Sequence, residues 1–174
     1  FLDAGFSVHE RLHLLIRPVD GSLPARSAAP ALRRGRRADR PALLDVDAAA
    51  FPPFWRLDGA ALDDALTATP ASRLRVVDLP DDRPGLAGYA ITGRAGPRGY
   101  LQRLAVDPTQ QRRGVGSTLV SDALVWLRRW GAREVLVNTQ EDNAAALALY
   151  EALGFRLQPD GLMVLRRRVD EAER

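Results

Sequence analysis

The chain has 174 residues, 46% hydrophobic and 27% charged, the balance of an ordinary globular protein of about one domain. With no cysteine and only two histidines, His9 and His13, it excludes disulfides, thiolate metal sites and cysteine nucleophiles, and it leaves no His-based metal site or catalytic triad to expect. All 25 basic residues are Arg, so the sequence pI of 10.1 overstates a net charge of only +3. No apolar run approaches the roughly 20 residues of a membrane span, and no secretory signal is visible. The expectation is a cytoplasmic protein without a metal, opening at Phe1 as a processed chain or a piece of a longer one.

Residues 1–17 contain the apolar run Leu12 to Ile16, which predicts an added strand. Residues 19–30, small, polar and broken by Pro24 and Pro30, predict a linker, so that the main domain is expected over 31–168 with a tail at 169–174. A short strand at Ala31-Leu32-Arg33 opens that domain. Arg33-Arg34-Gly35-Arg36-Arg37 is the densest basic run; without interleaved aromatic platforms it reads as a solvated strand edge, and nucleic acid is not an expected partner. Asp39 is placed to cap a helix from Pro41 to about Phe51, and Pro52-Pro53 ends it. A second helix covers Asp58 to Leu66. Strands follow at Arg73–Leu79, Leu86–Gly93 and Tyr100–Val106, with turns at Asp81–Gly85 and through Gly99. A helix from Val115 to Trp130 presents Val115, Leu119, Ala123, Leu127 and Trp130 as one buried stripe, and Gly131 fits its C′ position. Val135-Leu136-Val137 is a central strand. Asn143 caps a last helix that Gly154 ends, and Phe155–Leu157 with Met163–Leu165 reads as a closing hairpin. The result is an α/β (mixed α+β) chain with helices on both faces of a mixed sheet.

The chemistry-bearing feature is Gln111-Arg112-Arg113-Gly114-Val115-Gly116, set between a strand and a helix, where backbone N–H groups can hold a pyrophosphate. A P-loop needs a Lys after its second Gly, and this chain has none. A dinucleotide fingerprint needs a third Gly, where Leu119 stands, and an acidic residue after the next strand, where Asn138 stands. The segment Leu104 to Ser117 instead resembles the acetyl-CoA-binding motif of the GNAT superfamily of N-acetyltransferases, [Q/R]-x-x-G-x-[G/A]. Asn143-Ala-Ala-Ala-Leu-Ala-Leu-Tyr150-Glu-Ala-Leu-Gly154-Phe155 resembles that family's N-x-x-A-x-x-L-Y-x-x-x-G-F helix.

The resemblance, covering roughly 31–168, implies a mostly antiparallel sheet splayed between its fourth and fifth strands, with the pantetheine arm in the gap. It implies acetyl-CoA as cosubstrate, held by Leu104, Ala105, Val106, Gln111, Arg112, Arg113, Gly114, Val115, Gly116, Ser117, Asn143 and Tyr150. Tyr150 matches the family's general-acid tyrosine, and a backbone N–H near Leu104 or Ala105 is the candidate oxyanion donor. Many relatives carry a carboxylate on a splayed strand; here Gln102 and Asn138 stand instead, so proton loss through water positioned by one of them is the expected route. The aromatic connection Phe51-Pro-Pro-Phe54-Trp55-Arg56 makes Phe54 and Trp55 the candidate acceptor wall, against a packing role. The implied activity is acetyl transfer to a primary amine of unassigned identity, by a monomer or homodimer; the alternative is a catalytically silent acyl-CoA-binding or interaction domain. Finally, Ala4-Gly5-Phe6 with Arg17 echoes Leu153-Gly154-Phe155 with Arg166, as if residues 1–17 closed an upstream domain of a tandem member.

Overall fold

A computed structural model describes residues 5–19, 32–80 and 83–167. The linker expected at 19–30 lies outside the described residues except for Val19, and the tail at 169–174, Asp81, Asp82 and Ala4 lie outside them too. Fifteen elements follow in order, among them β1 (Ser7–Pro18), β2 (Leu32–Arg34), α1 (Arg40–Ala50), α2 (Gly59–Thr67), β3 (Ala71–Asp78), β4 (Leu86–Ala95), β5 (Arg98–Val106), α3 (Val115–Arg129), β6 (Glu134–Gln140), α4 (Ala144–Ala152), β7 (Arg156–Leu157) and β8 (Leu162–Arg166). Short 3-10 turns at Arg37–Asp39, Pro53–Trp55 and Pro108–Gln110 complete the set. The chain divides into two compact units, one of residues 17–136 and one formed by the segment up to Ile16 with Val137 onward.

In the Arg17–Leu136 unit the strands run in the order β2-β3-β4-β5-β6. The first three ladders are antiparallel, and β5 pairs with β6 in parallel. Alternation along β3 assigns the two faces. Leu74 and Val76 join Leu43 and Val46 of α1, Leu62 of α2 and Tyr89, Ile91 and Ala105 in the core on one side. Arg73 and Arg75 point the other way, where Asp122 of α3 takes both guanidinium groups. The α3 stripe of Val115, Leu119, Ala123 and Leu127 is buried on that side. Two glycines let it descend: a Cβ on Gly88 would lie 3.0 Å from Val115, and one on Gly99 would lie 2.7 Å from Leu127.

A β-bulge at Gln102 interrupts the β4–β5 ladder, where Ile91 faces Arg103 and the next pair is Thr92 with Leu101. The parallel ladder between β5 and β6, the fourth and fifth strands counted from β2, joins only Arg98–Tyr100 to Glu134–Leu136. Beyond Tyr100, β5 is paired on its β4 side alone among the described residues. The mixed, mostly antiparallel fold with helices on both faces, and the short junction between these two strands, match the expectation.

The second unit holds a rearrangement that the periodicity did not disclose. β1 has β6 on one side and β7 on the other, and β8 also pairs with β1. Leu15 faces Leu157, and Leu12 faces Leu162 in a ladder that reaches Ser7 with Arg166. The closing segments therefore form no hairpin with each other. Both lie antiparallel to β1 and run in the same direction along it, because that 12-residue strand supplies backbone partners to both. Gly161 between them passes so close to β1 that a Cβ would lie 2.5 Å from the Leu12 carbonyl oxygen. The added strand expected at Leu12–Ile16 is thus an interior one, with Leu15 fully buried.

Three smaller expectations are corrected. Asp39 makes no side-chain cap to α1; its carboxylate accepts from the Arg36 N–H at 2.6 Å and from Arg33 at 2.8 Å, closing the preceding turn instead. Gly99 belongs to β5 rather than to the turn before it. Trp130 is not in the buried stripe: at 56% exposed it lies past the last turn of α3 and leans on Trp126, with ring centroids 5.9 Å apart. The basic run has the structural reading: Arg33 on β2 is forked between Asp39 and Asp78 at 2.7–2.8 Å.

The α1 side of the sheet is tied together by one buried carboxylate. Asp47, with no solvent exposure, accepts from Tyr89 Oη at 2.5 Å, the Leu57 N–H at 2.7 Å and Arg103 Nε and Nη2 at 2.8 Å. Removing it strands a buried guanidinium and phenol. Asp47→Ala should therefore cost about 3–5 kcal/mol in urea unfolding, and a loss below about 1 kcal/mol would show that the carboxylate is not a tie.

Candidate active site

Leu104, Ala105 and Val106 lie on the stretch of β5 whose second edge carries no strand among the described residues, which leaves backbone groups there to pair with an extended ligand. Asp107 turns the chain after them, its carboxylate accepting the Thr109 N–H at 2.7 Å and the Thr109 hydroxyl at 2.6 Å. Gln111, Arg112 and Arg113 follow, all exposed. Arg112 has φ +58°, the one non-glycine residue with positive φ among the described residues, and Gly114 has φ +81° with open space where a Cβ would stand. Two left-handed residues within three positions curl the backbone into the concave form that gathers N–H groups around an anion.

Gly114 is also the N-cap of α3, and no side chain caps that helix. The helical ladder starts with the Thr118 N–H on the Gly114 carbonyl at 3.0 Å. The N–H groups of Val115, Gly116 and Ser117 are left at the positive end of the helix dipole. By contrast, Asp58 caps α2 through the Ala61 N–H at 2.8 Å, and Asn143 caps α4 through the Ala146 N–H at 3.1 Å.

Phe54 and Trp55 form the 3-10 turn between α1 and α2, their rings edge to face at 5.2 Å. Phe54 is 52% exposed, whereas the Trp55 carbonyl accepts from Arg103 Nη2 at 2.6 Å. Gln102, at the bulge, lies over Gly93 of β4: a Cβ there would meet its carboxamide carbon at 2.7 Å and the hydroxyl of Thr69, in the turn after α2, at 2.3 Å. Its Oε1 is buried without a hydrogen-bond partner among the described residues.

In the second unit Asn138 is exposed on β6, between buried Val137 and Thr139. Asn143 spends its Oδ1 as the cap of α4, so the capping role holds whatever else its amide does. Tyr150 is 4% exposed, packed at 5.6 Å from the Phe155 ring, and burial alone pushes its phenol well above the ordinary tyrosine value. Gly154 follows at φ +83° and ends the helix. The structure thus joins Leu104–Val106, Gln111–Ser117, Gln102 and Phe54–Trp55 around β5 in one unit, and Asn138, Asn143 and Tyr150 on β6 and α4 in the other.

Sequence reasoning missed Asp47, Tyr89 and Arg103. The signal was present: Asp47 falls at the fourth position after Leu43 on the apolar stripe of α1, and Arg103 interrupts the apolar strand Leu101–Val106. A charge on each of two buried faces calls for a mutual partner.

Residues 40–155 match the model of the Acetyltransferase (GNAT) family, and the chain belongs to that family. It is 45% identical over 65 residues to a mycothiol acetyltransferase of Geodermatophilus obscurus, covering 36% of this chain and 21% of that protein. It is 39% identical over 70 residues to the ribosomal protein bS18-alanine N-acetyltransferase of Escherichia coli, covering 40% and 47%. The chain therefore spans less than half the length of these curated relatives. The crystal structure of the E. coli S18-alanine enzyme superposes with a TM-score of 0.62 at 25% identity, over 72% of this chain and 77% of that one. AAC(6′)-Iy, solved with the bisubstrate analogue CoA-S-monomethyl-acetylneamine, shares the fold with a TM-score of 0.62 at 19% identity, over 80% and 98%. No helix among the described residues is long and apolar enough to cross a membrane.

The buried phenols set an alkaline limit. Tyr89 and Tyr150 are both raised, chiefly by burial, so folding favours their neutral forms. That contribution is complete below the unfolded tyrosine pKa of about 10 and is lost as pH rises above it, because only the unfolded chain then ionises these phenols. Ultraviolet titration should find both groups ionising in one step together with unfolding, and Tyr150→Phe should lower the amplitude of that step by about half. Reversible ionisation of both in the folded chain near pH 10 would contradict their burial.

Proposed function

We propose that the chain transfers an acetyl group from acetyl-CoA to a primary amine, on a small molecule or a protein N-terminus, by direct attack. The observation that carries this reading is the uncapped start of α3 beneath two left-handed residues, on a chain of the GNAT family. In this reading the N–H groups of Gln111 to Ser117 take the diphosphate, Arg112 and Arg113 supply cations for the 3′-phosphate, and the free edge of Leu104–Val106 pairs with the pantetheine amides.

The neutral amine attacks the thioester carbonyl carbon, and an N–H near Leu104 or Ala105 stabilises the developing oxyanion. As the C–S bond breaks, the thiolate takes the proton of Tyr150, which burial keeps protonated at every physiological pH. The ammonium proton leaves through water held by Gln102 or Asn138, since neither amide can itself act as a base. Asp47 is no substitute: four hydrogen bonds fill its carboxylate, and solvent does not reach it. Phe54 and Trp55 present the wall against which the acceptor rests. The amides of Gln102 and Asn138, standing where a carboxylate base could act, favour one second reading, a domain that binds acyl-CoA without turning it over.

Free-thiol release from acetyl-CoA across amines and N-terminal peptides separates the two readings. Tyr150→Phe should lower kcat by about 10²–10³ while leaving the KM for acetyl-CoA within about twofold. Full activity in that variant overturns the acid role. Gly114→Val forces a branched side chain into left-handed backbone and should weaken coenzyme A binding about tenfold or more by calorimetry. In a pH–rate profile, Gln102→Ala or Asn138→Ala should depress the rate; two fully active variants would remove the water-positioning role.

A further inference from the structure

The connection between α1 and α2 is closed on itself and on the sheet by polar ties that a packing wall does not need. Arg56 Nε donates to the Phe51 carbonyl at 3.0 Å, and the Leu57 N–H donates to Asp47 at 2.7 Å. From β5, the Arg103 guanidinium reaches across: Nε and Nη2 fork onto Asp47 at 2.8 Å, and Nη2 also donates to the Trp55 carbonyl at 2.6 Å. Its Cζ lies 3.5 Å from the centroid of the Phe51 ring. One side chain thus grips the start, the middle and, through Asp47, the end of the segment Phe51–Leu57. Phe54 at its tip is left 52% exposed.

We propose that Arg103 is a positioning residue for the acceptor: it holds Phe51–Leu57 as a preformed wall rather than a closing lid, and so sets acceptor affinity without touching the thioester. The proposal rests on the reading that Phe54 and Trp55 meet the acceptor. The β-bulge at Gln102 makes the device possible. It shifts the alternation of β5 by one residue, so that Arg103 points to the α1 side among Tyr89, Asp47 and Phe51. Stability alone is a poor reason for such a pair, because a buried ion pair scarcely repays its desolvation against an apolar replacement. A fork that also stacks on a ring supplies fixed geometry. With Asp47 neutralised by Arg103, the segment Phe51–Leu57 offers aromatic surface and carries no carboxylate of its own, which suits an amine next to an apolar group rather than a polycation.

The test uses the full chain, with hexapeptides beginning in Ala, Met or Leu as acceptors, and chymotrypsin as a probe that needs no acceptor. In Arg103→Met and Arg103→Lys, cleavage after Phe54 or Trp55 should be about tenfold faster than in the wild type, at a temperature where circular dichroism shows both folded. Lysine does not rescue, because an ammonium can neither fork nor stack. The same variants should raise the acceptor KM about tenfold or more while the acetyl-CoA KM stays within about twofold. Phe54→Ala, at an exposed site, should raise the acceptor KM and leave cleavage after Trp55 unchanged. Equal cleavage rates in wild type and variants, or an acetyl-CoA KM that climbs with the acceptor KM, overturns the proposal. If the wild type acetylates neither the peptides nor the small amines of the thiol-release panel, the acceptor reading fails, and the cleavage rates still decide whether Arg103 fixes the wall.

Discussion

Backbone amides and carbonyls must find partners, and β5 finds them on one side only past Tyr100. That single shortage organises the Arg17–Leu136 unit. The bulge at Gln102 falls beside the point where the parallel ladder ends, and the unpaired stretch leads directly into the Asp107–Gly114 turn. In the proposed reading, a ligand that pairs with the strand runs on to the N–H groups at the start of α3. Gly88 and Gly99 complete the arrangement by removing side chains that would hold α3 away from the strands. Strand edge, turn and helix terminus are consecutive in sequence, so small changes in one of them are felt by the others.

The chain has no lysine, and its structure shows what guanidinium groups do that ammonium groups cannot. Arg33 spans Asp39 and Asp78, Arg73 and Arg75 share Asp122, and Arg103 spans Asp47 and a carbonyl oxygen. Each joins elements distant in sequence: β2 with β3, β3 with α3, and β5 with α1. Arg73 also stacks on Trp126 at 5.2 Å, and Arg103 on Phe51 at 3.5 Å. The planar fork serves both as ion pair and as packing surface, which lets charged residues sit on the helix-covered faces of the sheet.

Much of this was legible from the chain itself. The helices after Gly114 and Asn143 and the strands from Arg73 to Val106 follow from periodicity and punctuation, and they lie within a residue or a few of their expected bounds. The setting of Gln111–Gly116 between a strand and a helix was legible because its glycines and apolar flanks are local properties. What escaped was non-local. Asp39 looked like a helix cap until Arg33 and Arg36 were seen to claim it. Trp130 kept the period of the stripe but fell past the last turn, where Gly131 at φ +81° diverts the chain. The closing hairpin failed because the segments Arg156–Leu157 and Leu162–Arg166 found a partner at the far end of the sequence. The Asp47–Arg103 pair joins residues 56 positions apart, and no local pattern couples them.

The interior place of β1 carries a consequence for how the chain is made. Ser7 hydrogen-bonds the carbonyl of Arg166 across 159 residues of sequence, so this ladder closes a loop nearly as long as the described chain. Contacts of such separation raise contact order and form slowly. During synthesis β1 emerges before β7 and β8, and its edge toward them must wait open until they have been translated. The unit built on β2 to α3 has its partners to hand much sooner. Vectorial synthesis therefore orders the assembly, with β1, the first of the described strands to emerge, among the last of them to be paired on both sides.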